Sequence, residues 1–280
     1  MPLSELMIDT VLGRLHVEVE GEGSVAVLWH SLFVDSRSWS RLRGLLREDR
    51  RLVLIDGPGH GKSGYPTADF DLDDCAKAAT EVLDALGVQK PVDWLGNAWG
   101  GHVGLTLAAS SPDWCRSVAT ISTPVQALSR RERMTIVPMV WAYRYVGAAP
   151  PLTNAVAVAI LGKEFMRSQP DDAAAVMQAF RGAPRAGMHR AMKSIMLNRP
   201  GLDPLLPRID TPTVMMVTTA DPILPVAQIH NAVAQMPAAR AVELCGEGHV
   251  APIMTQVDEL VEIIRAFWRD PRDYVATGSL

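Results

Sequence analysis

Short apolar runs alternate with helical patterns through the first 121 residues of the chain. Four runs are continuous enough to be strands buried on both faces, and they cover residues 25–29, 51–55, 91–95 and 117–121. Between them, the apolar spacing predicts helices over residues 36–46, 71–86 and 99–109. Alternating polar and apolar residues further upstream predict a β-hairpin over residues 7–20. This order predicts an α/β fold with a mostly parallel central sheet and helices on both faces.

The pattern changes between Pro124 and Leu205. This stretch holds helical patterns broken by Pro, Gly and Asn, without a strand-like run between them. Strand and helix patterns then resume over residues 213–217, 226–236, 241–244 and 255–268. We therefore predict a core formed by residues 1–124 and 206–280, with residues 125–205 inserted as a helical cap. The tail after Pro271 is expected to be loosely ordered.

Composition and charge restrict the class of protein. The 280 residues are 48% hydrophobic and 21% charged, which is ordinary for a globular chain. A formal net charge of −4 argues against nucleic-acid binding, although the predicted cap holds eleven Lys and Arg against five Asp and Glu. The start is not basic, no apolar run is long enough for a membrane span, and the three cysteines are scattered. We expect a cytoplasmic protein without a membrane partner, of undetermined oligomeric state.

Residues 92–102 combine a buried strand, a tight turn and the start of a helix. Gly96 and Gly100 flank the turn, and Ala98 lies at its centre. A nucleophile that stands clear of a sheet needs such a sharp bend, and small neighbours leave room for it. The bend also directs the N-terminus of the next helix at the site, where N–H groups stabilise negative charge. Hydrolases with the pattern Gly-x-Ser-x-Gly have serine at the centre, whereas alanine has no nucleophilic atom.

An acid and a histidine follow the turn in the order that a catalytic triad requires. Asp221 comes after one predicted strand, and His249 comes just after the last predicted strand. An imidazole between a nucleophile and a carboxylate acts as general base, while the carboxylate fixes its tautomer. The backbone N–H groups of Leu32 and Trp99 are the candidate oxyanion hole, because both residues are expected beside the nucleophile position.

Four motifs together resemble the α/β-hydrolase fold superfamily. They are Asp56-Gly-Pro-Gly-His-Gly-Lys-Ser63, Gly96-Asn-Ala-Trp-Gly-Gly101, Asp221-Pro222 and Gly248-His249-Val250-Ala251-Pro252. The resemblance covers nearly the whole chain outside the cap, and it is closest to serine-type members that cleave esters, lactones or carbon–carbon bonds. It implies that Ala98 occupies the nucleophile position, where serine is expected, with Asp221 as acid and His249 as base. Ser31 stands where the oxyanion loop of the family usually has glycine.

Two alternatives stay open at this point. Epoxide hydrolases and dehalogenases resemble the chain in Trp-Gly-Gly but use an aspartate nucleophile, and Tyr143 and Tyr145 could activate an epoxide. The loop over residues 56–63 and the absence of asparagine at Leu32 favour serine-type chemistry instead. The other alternative is a non-catalytic ligand-binding protein on the same fold. The sequence does not decide whether Ala98 is an engineered replacement of serine or a natural loss.

The substrate is expected to be a small-molecule ester or lactone, held partly by the cap. Met188, Met192 and Met196 recur every four residues, which predicts a stripe on one helix face. Methionine adapts to irregular apolar shapes, so this stripe fits a pliable roof over a bulky hydrophobic substrate, with ordinary helix packing as the alternative. The candidate contacts are Phe33, His102, Trp141, Tyr145, Met188 and Met192.

Other polar residues near the motifs are expected to have supporting positions. His60 is expected to fasten its own loop by hydrogen bonds, and His30 to support the oxyanion loop. Glu247 is expected to be solvated. The sequence has no cluster with metal-ligand spacing and no Gly-x-Gly-x-x-Gly after a strand, so neither a metal nor a cofactor is expected.

Overall fold

The computed structural model describes residues 3–277, which contain one eight-stranded sheet. The strands are β1 (Ser4–Thr10), β2 (Gly13–Glu20), β3 (Val25–Trp29), β4 (Arg51–Ile55), β5 (Val92–Asn97), β6 (Cys115–Ile121), β7 (Thr213–Ala220) and β8 (Ala239–Glu247). Their order across the sheet is β1-β2-β4-β3-β5-β6-β7-β8. Strand β2 runs antiparallel to both β1 and β4, and every other neighbouring pair is parallel. The predicted α/β fold with a mostly parallel sheet is confirmed.

Helices connect the strands in the order that the apolar pattern indicated. The α-helices are α1 (Ser40–Leu46), α2 (Leu72–Ala85), α3 (Trp99–Ser110), α4 (Arg130–Val146), α5 (Pro150–Leu161), α6 (Lys163–Ser168), α7 (Pro170–Gly182), α8 (Arg185–Ala191), α9 (Val226–Val233), α10 (Pro252–Thr255), α11 (Val257–Arg269) and α12 (Pro271–Ala276). Short 3₁₀ turns occupy Ser36–Trp39, Pro112–Trp114 and Leu206–Arg208, and a π-helical turn covers Met192–Leu197. Helices α4 to α8 all lie between β6 and β7, which are direct neighbours in the sheet.

The C-terminal tail is more ordered than the sequence suggested. Helix α12 follows directly on α11, and its first turn is capped by Asp270, which accepts a hydrogen bond from the Asp273 N–H (3.1 Å). Val275 on this helix is buried against the core. The expectation of loose order therefore fails for the described part of the tail, because six residues are too few to show a periodic apolar pattern. Within residues 3–277, no helix is both long enough and apolar enough to cross a membrane.

Helix α3 approaches the sheet so closely that side chains are excluded at the contact. A Cβ atom on Gly100 would lie 1.9 Å from the carbonyl oxygen of Trp29, and one on Gly96 would lie 2.1 Å from the Gly100 carbonyl carbon. Farther along the helix, a Cβ on Gly104 would meet the indole of Trp94 at 2.4 Å. The indole Nε1–H of Trp94 in turn donates to the Gly100 carbonyl (2.9 Å). These contacts fix the start of α3 against β3 and β5.

We predict that Gly100→Ala lowers the free energy of unfolding by about 3 kcal/mol or more, because backbone atoms cannot move away as a side chain can. Gly44→Ala is the matched control, since Gly44 lies in helix α1 with no atom within 4 Å of the added Cβ. That change should stabilise the protein by roughly 0.5–1 kcal/mol. Urea unfolding followed by circular dichroism measures both. Equal stability of Gly100→Ala and the parent chain would contradict the close approach.

Candidate active site

Ala98 lies in a strained turn between β5 and α3. Its backbone has φ 47° and ψ −101°, a region that residues with a Cβ rarely occupy. Such a conformation costs on the order of 1–3 kcal/mol and persists only where the surroundings impose it. Here the Ala98 N–H donates to the Ile121 carbonyl (2.8 Å), and the Gly100 N–H donates to the His30 carbonyl (3.2 Å). The turn therefore has the sharp strand-to-helix bend that the sequence predicted.

Asp221 and His249 form a buried hydrogen-bonded pair beside this turn. The His249 Nδ1 lies 2.9 Å from Asp221 Oδ2 and 3.1 Å from Oδ1, and the carboxylate is fully shielded from solvent. Asp221 also accepts hydrogen bonds from the N–H groups of Ile223 (2.8 Å) and Leu224 (3.0 Å). Burial raises the pKa of Asp221, but the charge and hydrogen bond of His249, the Ile223 N–H and the Ser122 side chain outweigh it, so the pKa is lowered. An ionised Asp221 can only accept a hydrogen bond from Nδ1, so the neutral form of His249 carries its proton on Nδ1. Its Nε2 is then an acceptor.

Polar groups at the ends of two strands hold the His249 loop from the core side. The Nδ2 of Asn97, the residue before Ala98, donates to the carbonyls of His249 (3.1 Å) and Ile121 (3.0 Å). The Oγ1 of Thr218 donates to the Gly248 carbonyl (3.0 Å). The turn at Ala98 and the histidine are therefore tied together by one buried amide.

Helices α5 and α6 hold the same loop from the opposite side. The Ile160 carbonyl, near the end of α5, accepts hydrogen bonds from the N–H groups of His249 (2.9 Å), Val250 (2.7 Å) and Ala251 (3.4 Å). The last carbonyls of a helix have no intrahelical partner, so this bond set satisfies one of them. The carboxylate of Glu247 accepts from the N–H groups of Glu164 and Phe165 at the start of α6. The expectation that Glu247 is simply solvated is therefore wrong.

Leu32 and Trp99, the residues of the predicted oxyanion hole, both have backbone N–H groups without a backbone acceptor among the described residues. Trp99 is the first residue of α3, so its N–H has no intrahelical acceptor. Leu32 lies in the loop after β3, and among residues 3–277 neither its N–H nor that of Trp99 donates a hydrogen bond to another backbone carbonyl. Both residues line the same pocket as Ala98 and His249. Both N–H groups are thus available to an oxygen atom of a bound ligand.

Two neutral histidines set the shape of the loop after β3. The His30 Nδ1 donates to the Ser31 carbonyl (2.6 Å), and its Nε2 accepts from the Gly57 N–H (2.9 Å). The His60 Nε2 accepts from the N–H of Phe33 (3.4 Å), a residue with φ 74°. Burial lowers the pKa of His30 and lowers that of His60 to about 3, so both rings keep an acceptor nitrogen. The geometry agrees with the supporting positions expected for both.

Asp56 anchors the glycine-rich loop that carries His60. Its carboxylate accepts hydrogen bonds from the N–H groups of Ser36 (2.8 Å) and Lys62 (3.1 Å) and lies 2.8 Å from the Nδ1 of His16. Burial opposes its ionisation, but the hydrogen bonds with His16, Ser36 and Lys62 help to lower the pKa of Asp56 to about 2. The hydrogen bond to Asp56 in turn raises the pKa of His16 against the effect of burial. The loop is therefore fixed by one buried carboxylate.

A mostly apolar pocket of about 270 Å³ joins these groups. Ala98 lines it, together with His249, Ser31, Leu32 and Trp99. Helices α4 and α5, the π-helical turn and neighbouring loops contribute a second group of lining residues, which are Leu128, Ile136, Met139, Ala155, Val156, Ala159, Ile160, Ile195, Met196 and Arg199. Within residues 3–277, no group of three or more His, Cys, Asp or Glu side chains is arranged to hold a metal ion.

A family model for the alpha/beta hydrolase family matches residues 26–263. The chain belongs to this family. It is 27% identical over 263 residues to a pimeloyl-[acyl-carrier protein] methyl ester esterase of Xanthomonas oryzae, covering 90% of this chain and 98% of that protein. Its fold is similar to a thermophilic esterase of Thermogutta terrifontis, with a TM-score of 0.87, 21% identity and coverage of 96% and 99%. It is likewise similar to the enol-lactonase of Burkholderia xenovorans, with a TM-score of 0.85, 24% identity and coverage of 92% and 97%.

Four of the six side chains named as substrate contacts lie away from the pocket of this hydrolase. Phe33 and His102 line it, as the sequence suggested. Trp141 is 50% exposed and faces a separate surface groove with His189, and Tyr145 is 69% exposed. Both lie on the outer side of helix α4. The sequence pattern did not show which side of this helix faces the protein interior. These two are corrected to surface residues.

The three methionines of the predicted stripe do not share one environment. Met188 and Met192 are fully buried among apolar neighbours and do not line the pocket, whereas Met196 does. The helix changes to a π-helical turn from Met192 to Leu197, and the wider turn rotates the following side chains away from the earlier face. A spacing of four residues therefore does not keep the three on one line. Ordinary packing describes Met188 and Met192, and their assignment as substrate contacts is corrected.

Two further side chains bear on the chemistry. Tyr143 is buried against Phe180, with ring centroids 5.2 Å apart, and neither Tyr143 nor Tyr145 lines the pocket. Neither tyrosine is therefore placed to activate an epoxide. Sequence reasoning missed Arg199, which lines the pocket and is 9% exposed. An arginine before a proline at the end of a helical segment gave no sequence signal of burial.

We predict that Asp56→Asn destabilises the protein by about 2 kcal/mol near pH 5. The pKa of Asp56 is about 2 in the folded protein, below its ordinary value of 3.8, so ionisation stabilises the fold above pH 4. This stabilisation is lost as pH falls from about 4 to 2, and the two stability curves should converge there. Urea unfolding at a series of pH values measures this. Asp113→Asn, at an exposed carboxylate, is the control, and a constant difference down to pH 2 would contradict the assignment.

Proposed function

We propose that this alpha/beta hydrolase is built to cleave a small-molecule ester or lactone, with a hydrophobic part, by means of a serine nucleophile at position 98. The observation that carries the proposal is the Asp221–His249 pair, with Nδ1 and Oδ2 2.9 Å apart, in the same pocket as the strained turn at Ala98. The esterases and the enol-lactonase to which the chain is similar support the same class of substrate.

The mechanism follows from the hydrogen-bonding atoms of the site that have no partner within the described part of the protein. With serine at position 98, its Oγ attacks the ester carbonyl carbon while His249 Nε2 accepts the hydroxyl proton. Asp221 keeps the imidazole oriented and stabilises its positive charge. The carbonyl oxygen becomes an oxyanion, and the N–H groups of Leu32 and Trp99 donate to it. His249 then gives its proton to the departing alcohol, and water attacks the acyl-enzyme by the same route in reverse.

Ala98 removes the attacking atom and leaves the other groups in place. Loss of the nucleophile from such a triad lowers the rate by about 10⁶-fold, so the chain with Ala98 should be nearly inert. Asp221 retains its hydrogen bonds and the turn retains its strain, which supports a parent with serine at this position. Position 98 with aspartate, as in epoxide hydrolases, has less support because no tyrosine among residues 3–277 lines the pocket.

We further propose that residues 125–205 act as a cap over the pocket. Residues from this segment supply about half of the lining of the pocket, including Leu128, Ile136, Met139, Val156 and Met196. Because these side chains are apolar, closure of the segment excludes water and favours the hydrophobic part of a substrate.

A non-catalytic ligand-binding protein is the second candidate, and Ala98 is the observation that favours it. The pocket keeps its apolar lining without a nucleophile, so an ester could bind and not be cleaved. Tight binding of an intact ester, without turnover by any variant at position 98, would distinguish this function from hydrolysis.

We predict that Ala98→Ser increases kcat/KM by at least about 10³-fold on p-nitrophenyl esters and simple lactones. Spectrophotometric and pH-stat assays of both forms measure the gain. Ala98→Gly is the matched control, because glycine relaxes the backbone strain without adding a nucleophile and should gain nothing. His249→Ala in the Ala98→Ser protein should remove the gain. If Ala98→Ser is no faster than the parent on any ester or lactone tested, the proposed function fails.

A further inference from the structure

Arg199 is the one charged side chain of the cap segment that lines the apolar pocket within residues 3–277. It follows the π-helical turn and is 9% exposed. Its guanidinium donates to four main-chain carbonyls, those of Pro124 (3.2 Å), Val125 (3.4 Å), Gln126 (2.7 Å) and Pro200 (3.0 Å). The side chain is therefore fixed in one position at the wall of the pocket.

Carbonyl groups satisfy donors but do not neutralise a charge. Among residues 3–277, no carboxylate lies within 4.0 Å of the Arg199 guanidinium, whereas other buried or half-buried arginines such as Arg43 and Arg50 each have a carboxylate partner. The charge of Asp203 acts on Arg199, but the two residues form no direct ion pair. Burial of a cation that lacks an ion pair is costly, and an anion that enters the same space gains from it. Burial lowers the pKa of Arg199 to about 10, so it keeps its proton at neutral pH.

His102 lies beside Arg199 and does not supply the missing charge. Its Nε2 donates to the same Pro124 carbonyl (2.7 Å) that Arg199 contacts. Burial, followed by the charge of Arg199, lowers the pKa of His102 well below its ordinary value, so the ring is neutral. Its Nδ1 has no hydrogen-bond partner among the described residues. This corner of the pocket thus contains one cation beside a neutral histidine, within otherwise apolar walls.

We propose that Arg199 binds a carboxylate of the substrate, so that the preferred substrates are half-esters of dicarboxylic acids or lactones that carry a carboxylate. This inference rests on the proposed ester and lactone hydrolysis and narrows it. The scissile bond lies at Ala98 and His249, the apolar walls hold the intervening carbon chain, and the charged end lies at Arg199. Arginine suits this position because its guanidinium stays charged when buried. The four carbonyls accept from Nη1 and Nη2, so the Nε–H remains to donate to a carboxylate.

Binding to the chain with Ala98 tests the proposal without any turnover. The probes are monomethyl esters of the linear dicarboxylic acids from succinate to sebacate, each compared with its neutral dimethyl ester by isothermal titration calorimetry. The best half-ester should bind about 10- to 100-fold more tightly than its diester, because a charge-assisted hydrogen bond in an apolar pocket is strong. Arg199→Met should abolish this preference. Equal binding of all pairs, or no binding of any half-ester, overturns the proposal.

A matched variant separates recognition from structural support. Arg133, also in the cap segment, donates to the Leu197 carbonyl but does not line the pocket, so Arg133→Met should keep the preference for half-esters. If Arg199 served only to fix residues 124–126, its loss would lower the melting temperature of the protein. It would then also weaken the binding of half-esters and of diesters by the same factor. Arg199→Lys should restore part of the preference, since it restores the charge without the planar geometry.

Turnover in the Ala98→Ser protein distinguishes this inference from the proposed function. The ratio of kcat/KM for half-ester over diester should fall about 10- to 100-fold with Arg199→Met. Cleavage of both esters at equal rates would contradict the proposed carboxylate site at Arg199 and would still support the proposed hydrolysis. Selective binding of half-esters, without cleavage of half-esters or diesters, would contradict the proposed hydrolysis and would still support the carboxylate site.

Discussion

Close packing of helix α3 against the sheet is the constraint on which the rest of the site depends. A Cβ on Gly100 would lie 1.9 Å from a backbone oxygen of Trp29, so the helix can sit this near only with glycine there. The short approach forces the chain to turn within one residue, and that residue is Ala98 at φ 47°. The same turn begins helix α3 at Trp99, whose N–H has no backbone acceptor among residues 3–277 and which lines the pocket. Backbone geometry, more than any side chain of the helix, therefore sets the position of this N–H group relative to Ala98.

The sequence predicted the strands and the order of the chemical groups well, for physical reasons. Buried parallel strands such as Val25–Trp29 are continuous apolar runs, and a sharp strand-to-helix turn requires small residues at Gly96 and Gly100. Asp221 and His249 could be found because each follows a strand at the same edge of a parallel sheet. These features are local or follow directly from the order of the strands.

The wall of the pocket could not be predicted in the same way. Which side of a helix faces inward depends on its neighbours, so Trp141 and Tyr145 were placed inside although α4 turns them outward. The π-helical turn has no signature in the sequence, and it separates Met196 from Met188 and Met192. Arg199 was missed because its burial depends on carbonyls of residues 124–126, which are distant along the chain. Contacts between distant segments of irregular structure are where sequence patterns carry least information.

The three hydrogen bonds that the Ile160 carbonyl accepts from residues 249–251 have a consequence for motion. They join the end of α5 to the loop of the histidine, and Glu247 adds a second attachment at the start of α6. Any displacement of the helical segment at this corner would carry His249 away from Asp221. At this corner the helical segment and the loop of the histidine are therefore one hydrogen-bonded unit, so the alignment of His249 with Asp221 depends on the position of α5 and α6.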